Sequence, residues 1–192
     1  MNATKKLKSV LTVAAAVAGL MAMAETTSPA ALQAAQAAGV QLWANGPRWA
    51  EVNLGAETPE GEGGLFEFKE AAKAVKSRLG PGWRLPTRFE FDTLCGNDGK
   101  DSCTWRWDNA RRGYVITGKT PGYTDKSIFL PAAGCDYGSG REYAGSHGRY
   151  WSSGTLGKLR GWNLFFGPCY FYMNDNINEN RLTIRAVRAG AR

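Results

Sequence analysis

The chain has 192 residues, 43% of them hydrophobic, and 24 basic side chains against 17 acidic ones give a formal charge of +7. That excess is too small and too scattered to define a nucleic-acid binder, and no stretch approaches the roughly 20 consecutive apolar residues that a membrane span needs.

Lys5, Lys6 and Lys8 precede an apolar run from Val10 to Met21, and Ala22-Met23-Ala24 fits a small-x-small cleavage site. Residues 1–24 therefore read as a secretory signal peptide, and the expected location is secreted, periplasmic or cell-surface. Its removal takes away three lysines and no acid, lowering the charge to +4 and leaving 168 residues. One core burying about 70% of the unfolded chain's surface is expected at that length.

Residues 25–40 are rich in alanine and glutamine, with Ser28 placed as an N-cap, Pro29 at the first helical position and Gly39 past the end. This is the pattern of a short helix or spacer, and the domain proper is expected over 41–192. Alternation from Gln41 to Trp43 and from Trp49 to Leu54 predicts two strands about a turn at Asn45-Gly46-Pro47. Gly55 to Gly64 is acidic, glycine-rich and reads as a loop. Phe66 and Phe68 flank Glu67 in an extended piece, and the recurrence of Ala72, Val75 and Leu79 after Phe68 predicts a helix stopped at Gly80-Pro81.

Thr87-Arg88-Phe89-Glu90 is a capping-box pattern entered from Pro86, so a second short helix should run to about Leu94. Cys103 to Asp108 and Gly113 to Gly118 follow as strands about a turn at Asn109 to Arg112. Ser127 to Pro131 reads as a buried strand and Gly134 to Arg149 as a glycine-rich loop. Two short helices among antiparallel strands make the fold class α+β.

Four cysteines in an exported chain point to oxidation rather than to metal binding. Cys95 and Cys103 bracket a polar loop short enough to close as a local disulfide, which leaves Cys135 and Cys169 either to each other or free. One or two disulfides are therefore expected. No spacing resembles a zinc site, and neither a metal nor another cofactor is expected. His147, without an acid or nucleophile beside it in the motif Gly145-Ser146-His147-Gly148, reads as a solvent-facing loop residue. Arg111, Arg112, Arg181, Arg185, Arg188 and Arg192 read as scattered, solvated charges.

The stretch from Tyr150 to Arg188 is the most patterned of the chain. Taking Trp162, Leu164, Phe166, Phe171 and Met173 as inward places Asn163, Phe165, Tyr170, Tyr172 and Asn174 on the opposite side of their strands. Tyrosine and asparagine combine large contact area with adaptable hydrogen bonding, as binding surfaces do, whereas the plainer alternative is a second buried layer. The asparagine run from Asn174 to Asn180 is either a cation site, with Asp175 and Glu179 as its acids, or a turn using asparagine for left-handed backbone; the turn is the reading preferred.

Several motifs occur in order: Gly82-Trp83-Arg84-Leu85-Pro86-Thr87, Ile128-Phe129-Leu130-Pro131-Ala132-Ala133-Gly134, Gly148-Arg149-Tyr150-Trp151-Ser152-Ser153 and Ile184-Arg185-Ala186-Val187-Arg188. Together they resemble the Fibrobacter succinogenes major paralogous domain over roughly Val40 to Arg188. The resemblance implies a C-type lectin-like fold in the variant shared with formylglycine-generating enzymes. Tyr150-Trp151-Ser152-Ser153, Trp162-Asn163-Leu164, Phe166, Met173 and the closing Ile-Arg-Ala-Val-Arg also resemble the variable region of target proteins of diversity-generating retroelements. There, asparagine codons such as AAC are altered at their adenines, reaching most residue types but never Lys, Met, Trp, Glu or Gln.

Leu156, Gly157, Leu159, Arg160, Phe165, Gly167, Cys169, Tyr170, Tyr172, Asn174, Asp175, Asn176, Ile177, Asn178, Asn180 and Leu182 fall within that set, while Lys158 and Glu179 fall outside it. With Lys158 added as part of the same loop, the sixteen form the candidate ligand-binding set. Trp83, Leu85, Trp151, Trp162, Leu164, Phe166, Phe171, Met173 and Val187 are assigned to the core. The implied function is binding of a protein or cell-surface ligand through this set. An undiversified surface-assembly paralogue and a cysteine-modifying enzyme using Cys135 and Cys169 are the alternatives.

Overall fold

The computed structural model describes residues 38–190, and within it the capping box forms as its sequence predicts. Glu90 N donates to Thr87 Oγ1 at 3.1 Å while Thr87 N donates to Glu90 Oε2 at 2.7 Å. Two otherwise orphaned amide donors at the helix entry are thereby satisfied. The expected signal peptide and nearly all of the expected alanine-rich helix lie outside the described residues.

In chain order the elements are β1 (Val40–Gln41), β2 (Arg48–Trp49), β3 (Phe66–Glu67), α1 (Phe68–Leu79), β4 (Trp83–Arg84), α2 (Arg88–Cys95), β5 (Cys103–Asp108), β6 (Gly113–Gly118) and β7 (Ser127–Pro131). There follow β8 (Cys135–Asp136), β9 (Arg141–Glu142), β10 (Gly148–Leu156), β11 (Arg160–Gly167), β12 (Tyr170–Ile177), β13 (Arg181–Leu182) and β14 (Val187–Arg188). The strands form sheets ordered β1-β2-β14-β4, β10-β11-β12, β3-β13-β8-β9 and β5-β6-β7, with antiparallel ladders throughout. The class is α+β, as expected.

Several details depart from the expectations. The strand predicted from Trp49 to Leu54 ends at Trp49, because Ala50 and Leu54 donate their amides to Ala186 and Ile184 across an irregular segment. In α1 it is Ala71, not Ala72, that is buried with Val75. The glycine-rich loop after Gly134 contains the hairpin β8–β9, and Gly148 and Arg149 already belong to β10.

The closing segment stitches the domain together. β13 lies between β3 and β8, and β14 lies between β2 and β4, so a few residues join two sheets. Two buried clusters flank it. One gathers Leu42, Trp49, Phe91, Leu94, Ile116, Leu130, Tyr150, Leu164 and Phe166; the other gathers Leu54, Val75, Trp83, Leu85, Trp151, Leu182 and Ile184. Most of the expected core is buried, but Phe171 and Met173 are half-buried against the first cluster. Trp162, also half-buried, lies under the Arg88 guanidinium at 3.8 Å.

Two expectations about polar groups are corrected. Arg185 is not a solvated charge: it is fully buried, and its guanidinium donates to Asn53 Oδ1 and to the carbonyls of Ala50, Glu51 and Phe129. The expected Cys95–Cys103 disulfide is absent, and all four cysteines are thiols. Cys95 and Cys103 belong to the same apolar cluster, where burial raises both thiols, Cys103 to about 12. They are thus held in the protonated form, which is not nucleophilic. Among the described residues no helix is long and apolar enough to cross a membrane.

Candidate ligand-binding face

Directly opposed residues of an antiparallel pair point to the same side of the sheet. In β10-β11-β12 the rows Gly148–Phe166–Phe171 and Tyr150–Leu164–Met173 therefore share one face, and this face lies on the first cluster. The rows Arg149–Phe165–Tyr172 and Trp151–Asn163–Asn174, with the pairs Gly167–Tyr170 and Gly161–Asn176, share the other.

That second face is covered over only half its length. The Trp151 ring meets Phe68 of α1 edge-on at 5.2 Å and donates its indole N–H to Phe66 O at 2.7 Å. Gly161 is needed beneath this contact, since a Cβ there would lie 2.5 Å from the Phe68 ring. β10 also bulges between Trp151 and Thr155, which brings Ser153 N to Pro86 O at 2.7 Å. Beyond Trp151 the row Arg149–Phe165–Tyr172 is covered less completely, with Arg149 and Phe165 half-buried and Tyr172 exposed. Tyr170 and Tyr172 there retain 38% and 45% of their exposure.

The loop before β10 completes the open half. The His147 ring stacks on Phe165 with centroids 5.6 Å apart, the Tyr143 ring stands edge-on to His147 at 5.4 Å, and Tyr137 lies 6.4 Å from Tyr143. The Arg149 guanidinium sits 3.8 Å above the Phe165 ring and 6.0 Å from that of Tyr137. Tyr137, Tyr143, His147, Arg149 and Phe165 line a cavity of about 280 Å³. Aromatic rings and one guanidinium thus surround a space the size of a single side chain.

The loop is held by its own backbone. Tyr143 has a φ of +60°, its carbonyl accepts from the amides of Ser146 and His147, and Gly145 N and Gly134 N donate to Ala132 O and His147 O. Such a conformation is strained for a bulky residue, and strain of this kind gathers where a side chain must be aimed. At Gly134, with a φ of +71°, a Cβ would run into the Glu142 carbonyl, so only glycine fits.

His147 is not the solvent-facing residue expected. It is half-buried, and Ser146 Oγ lies 3.0 Å from its Nδ1. Ser146 Oγ–H donates to Tyr143 O at 2.9 Å, so Nδ1–H is the donor of the Ser146–His147 contact and the hydroxyl is not activated as a nucleophile. Burial, followed by the charge of Arg149, holds His147 below its usual pKa, and the ring is neutral at pH 7.

The candidate set divides by position. Leu156, Gly157, Lys158, Leu159, Arg160, Cys169, Tyr170, Tyr172 and Ile177 are exposed, and Phe165, Asn174, Asp175, Asn178 and Asn180 are half-buried. Leu156, Leu159 and Ile177 make an aliphatic tip at the far end of the sheet from Tyr170. Gly167, Asn176 and Leu182 are interior, which corrects their assignment to the surface. Leu182 belongs to the second cluster, a Cβ at Gly167 would lie 2.7 Å from the Tyr170 ring, and Asn176 Oδ1 accepts from Ile177 N and Asn180 Nδ2.

The preferred turn holds for only part of the asparagine run: Asn174 to Ile177 belong to β12, Asn178 to Asn180 make the turn, and none of these asparagines has a positive φ. Side-chain bonds shape it instead, with Asn178 Nδ2 donating to Lys158 O at 3.1 Å. Asp175 pairs with Arg160, and no three His, Cys, Asp or Glu side chains gather among the described residues.

Tyr137, Tyr143, His147 and Arg149 were not anticipated as site residues. The signal available was the aromatic residues and single histidine spaced through an otherwise glycine-rich loop. No protein-family model, curated protein or solved structure matches the chain.

Proposed function

We propose that this is an exported binding protein of adhesin or receptor type, with a C-type lectin-like fold, whose C-terminal sheet and the loop before it present the ligand surface. The observation that carries the reading is the gathering of Tyr137, Tyr143, Tyr170 and Tyr172, each between 38% and 51% exposed, around the less covered half of one sheet face. A monomer's core has no use for four solvent-facing tyrosines in one place, whereas binding surfaces are enriched in them. Support for the fold comes from β14 pairing beside β2, which joins the two ends of the described chain.

In this reading the exposed members of the candidate set vary by retroelement action while the residues beneath them stay fixed. A specific observation favours an undiversified paralogue as the second reading. Leu182 is fully buried, and free variation at a core leucine would cost about 2–5 kcal/mol in many variants.

Two measurements test the proposal. Replacing Tyr170 and Tyr172 by alanine should each cost no more than about 0.5 kcal/mol of stability, as surface changes do. A loss of several kcal/mol would assign them to packing and remove the surface reading. In the neighbouring DNA, a near-copy of the codons for Tyr150 to Arg188, mismatched mainly at adenines and beside a reverse transcriptase gene, is expected. Its absence returns the chain to the undiversified reading.

A further inference from the structure

We infer that the cavity bounded by Tyr137, Tyr143, His147, Arg149 and Phe165 is a receptor for a carboxylate side chain of a protein partner, an inference that rests on the binding role proposed above. The Arg149 fork is the anion donor and the rings grip the aliphatic stem.

The state of Arg149 is the first ground. Arg84, Arg88, Arg111, Arg141, Arg160 and Arg181 each pair with a carboxylate. Arg149 is half-buried, yet among the described residues no carboxylate lies within ion-pairing distance of it. Its planar face is taken up by Phe165 at 3.8 Å, which fixes the group in one orientation. Stacking engages the face of the guanidinium and its edge also meets the buried Cys135 thiol, but a guanidinium carries five N–H donors, and those that remain match the two oxygens of a carboxylate.

Size and charge narrow the ligand. A cavity of about 280 Å³ is at the small end for ligand pockets and suits one side chain. With His147 neutral, Arg149 is the one charged group lining it, which matches a single negative charge. Lysine, the usual companion at sites for more highly charged phosphates, does not line the cavity. A protein rather than a sugar is favoured because the cavity continues onto Tyr170 and Tyr172, 5.3 and 5.5 Å from Phe165, so that a pocketed anchor is bordered by flat aromatic area.

Four of the five lining residues precede Tyr150 and so lie outside the stretch proposed to vary; Phe165 alone belongs to it. The cavity is therefore a constant anchor beside a changeable surface. Partners that differ elsewhere would share an exposed aspartate or glutamate.

The test is a titration of the full purified protein, ¹⁵N-labelled at arginine, with the blocked tripeptides acetyl-Ala-Glu-Ala-amide and acetyl-Ala-Gln-Ala-amide and with glucuronate. The Arg149 Nε–Hε resonance should move saturably with the glutamate peptide, at least tenfold more tightly than with the glutamine peptide. In isothermal titration calorimetry, which does not depend on the arginine label, Arg149→Gln should abolish binding of the glutamate peptide, and Arg149→Lys, which keeps the charge without the fork, should weaken it by about tenfold. Equal responses to the two peptides, or none to the glutamate peptide, would overturn the inference. So would a response to glucuronate alone, which would transfer the cavity to acidic sugars. If Arg149 fails this test while the Tyr170 and Tyr172 substitutions leave stability intact, the cavity assignment falls and the binding role stands.

Discussion

Arg185 donates Nε and Nη2 to the single side-chain oxygen of Asn53, at 3.0 and 2.8 Å, where neither residue has any exposed surface. Among the described residues no carboxylate forms an ion pair with Arg185, although the charge of Glu51 acts on it; the remaining acceptors are the carbonyls of Ala50, Glu51 and Phe129. Asn53 Nδ2 donates in turn to Tyr150 Oη, which donates to Pro131 O at 2.6 Å. One guanidinium thus fastens the early irregular segment, β7 and the closing segment together. Burial draws its pKa down to about 10, so it remains charged at neutral pH.

Arg185→Lys keeps the charge but has too few donors, and no planar fork, for these acceptors. Leaving buried carbonyls and an amide unpaired around a charge is expected to cost at least about 3 kcal/mol, read from the urea midpoint. A cost below about 1 kcal/mol would show the network to be dispensable.

The capping box makes a prediction in acid. Burial opposes charge on Glu90, but hydrogen bonds from Arg84 at 2.8 and 2.6 Å and from Thr87 N outweigh it, so the carboxyl stays below its usual pKa. A depressed folded pKa contributes stability that is complete above the unfolded value, near 4.3, and disappears as pH falls through the folded value. Stability should therefore decline below about pH 5. Glu90→Gln keeps an acceptor for Thr87 N but no charge, so its acid decline should be shallower. Parallel pH–stability curves for the two proteins would remove Glu90 from this role.

The thiols can be counted. Cys169 is exposed at the turn between β11 and β12, whereas Cys103 and Cys135 are buried and Cys95 is partly covered with its thiol raised by burial. A thiol reagent should label one cysteine quickly in the native protein and all four after denaturation. Two fewer in denaturant would show that Cys95 and Cys103 are bridged after all.

Tyr143 offers a separation of stability from binding. Asparagine tolerates a positive φ far better than tyrosine, so Tyr143→Asn should leave stability unchanged or raise it by up to about 1 kcal/mol. The same change removes one wall of the cavity, and the glutamate tripeptide should bind at least fivefold more weakly, as read on the Arg149 resonance. A clear loss of stability would mean that the ring, 5.4 Å from His147, is a packing group.

How much was legible in the chain follows from the range of each interaction. Thr87 and Glu90 are three residues apart, so their reciprocal bonds, the start of α2 and its end near Leu94 could be read locally. The hairpin of β5 and β6 about Asn109–Arg112 was equally local, and alternation placed Leu164 and Phe166 inward. Alternation also set Phe165, Tyr170 and Tyr172 on the opposite face, which is the part of the site the chain displays openly. It could not tell that Asn163, on that same face, is buried, since this depends on how far cover extends past Trp151.

What the sequence determined by itself is the two helices and the longer strands, their α+β class and the two faces of the C-terminal strands, because each rests on spacings of a few residues. The tertiary structure decided which half of the outer face stays open, that Leu182 and Arg185 go inside, and that the Tyr137–Arg149 loop folds over Phe165. Those outcomes depend on contacts between residues far apart in the chain, such as Phe68 against Trp151 and Arg185 against Asn53, which no local pattern encodes. A guanidinium reads the same in sequence whether solvated, buried or waiting at a cavity, and only its neighbours distinguish Arg185 and Arg149 from the rest.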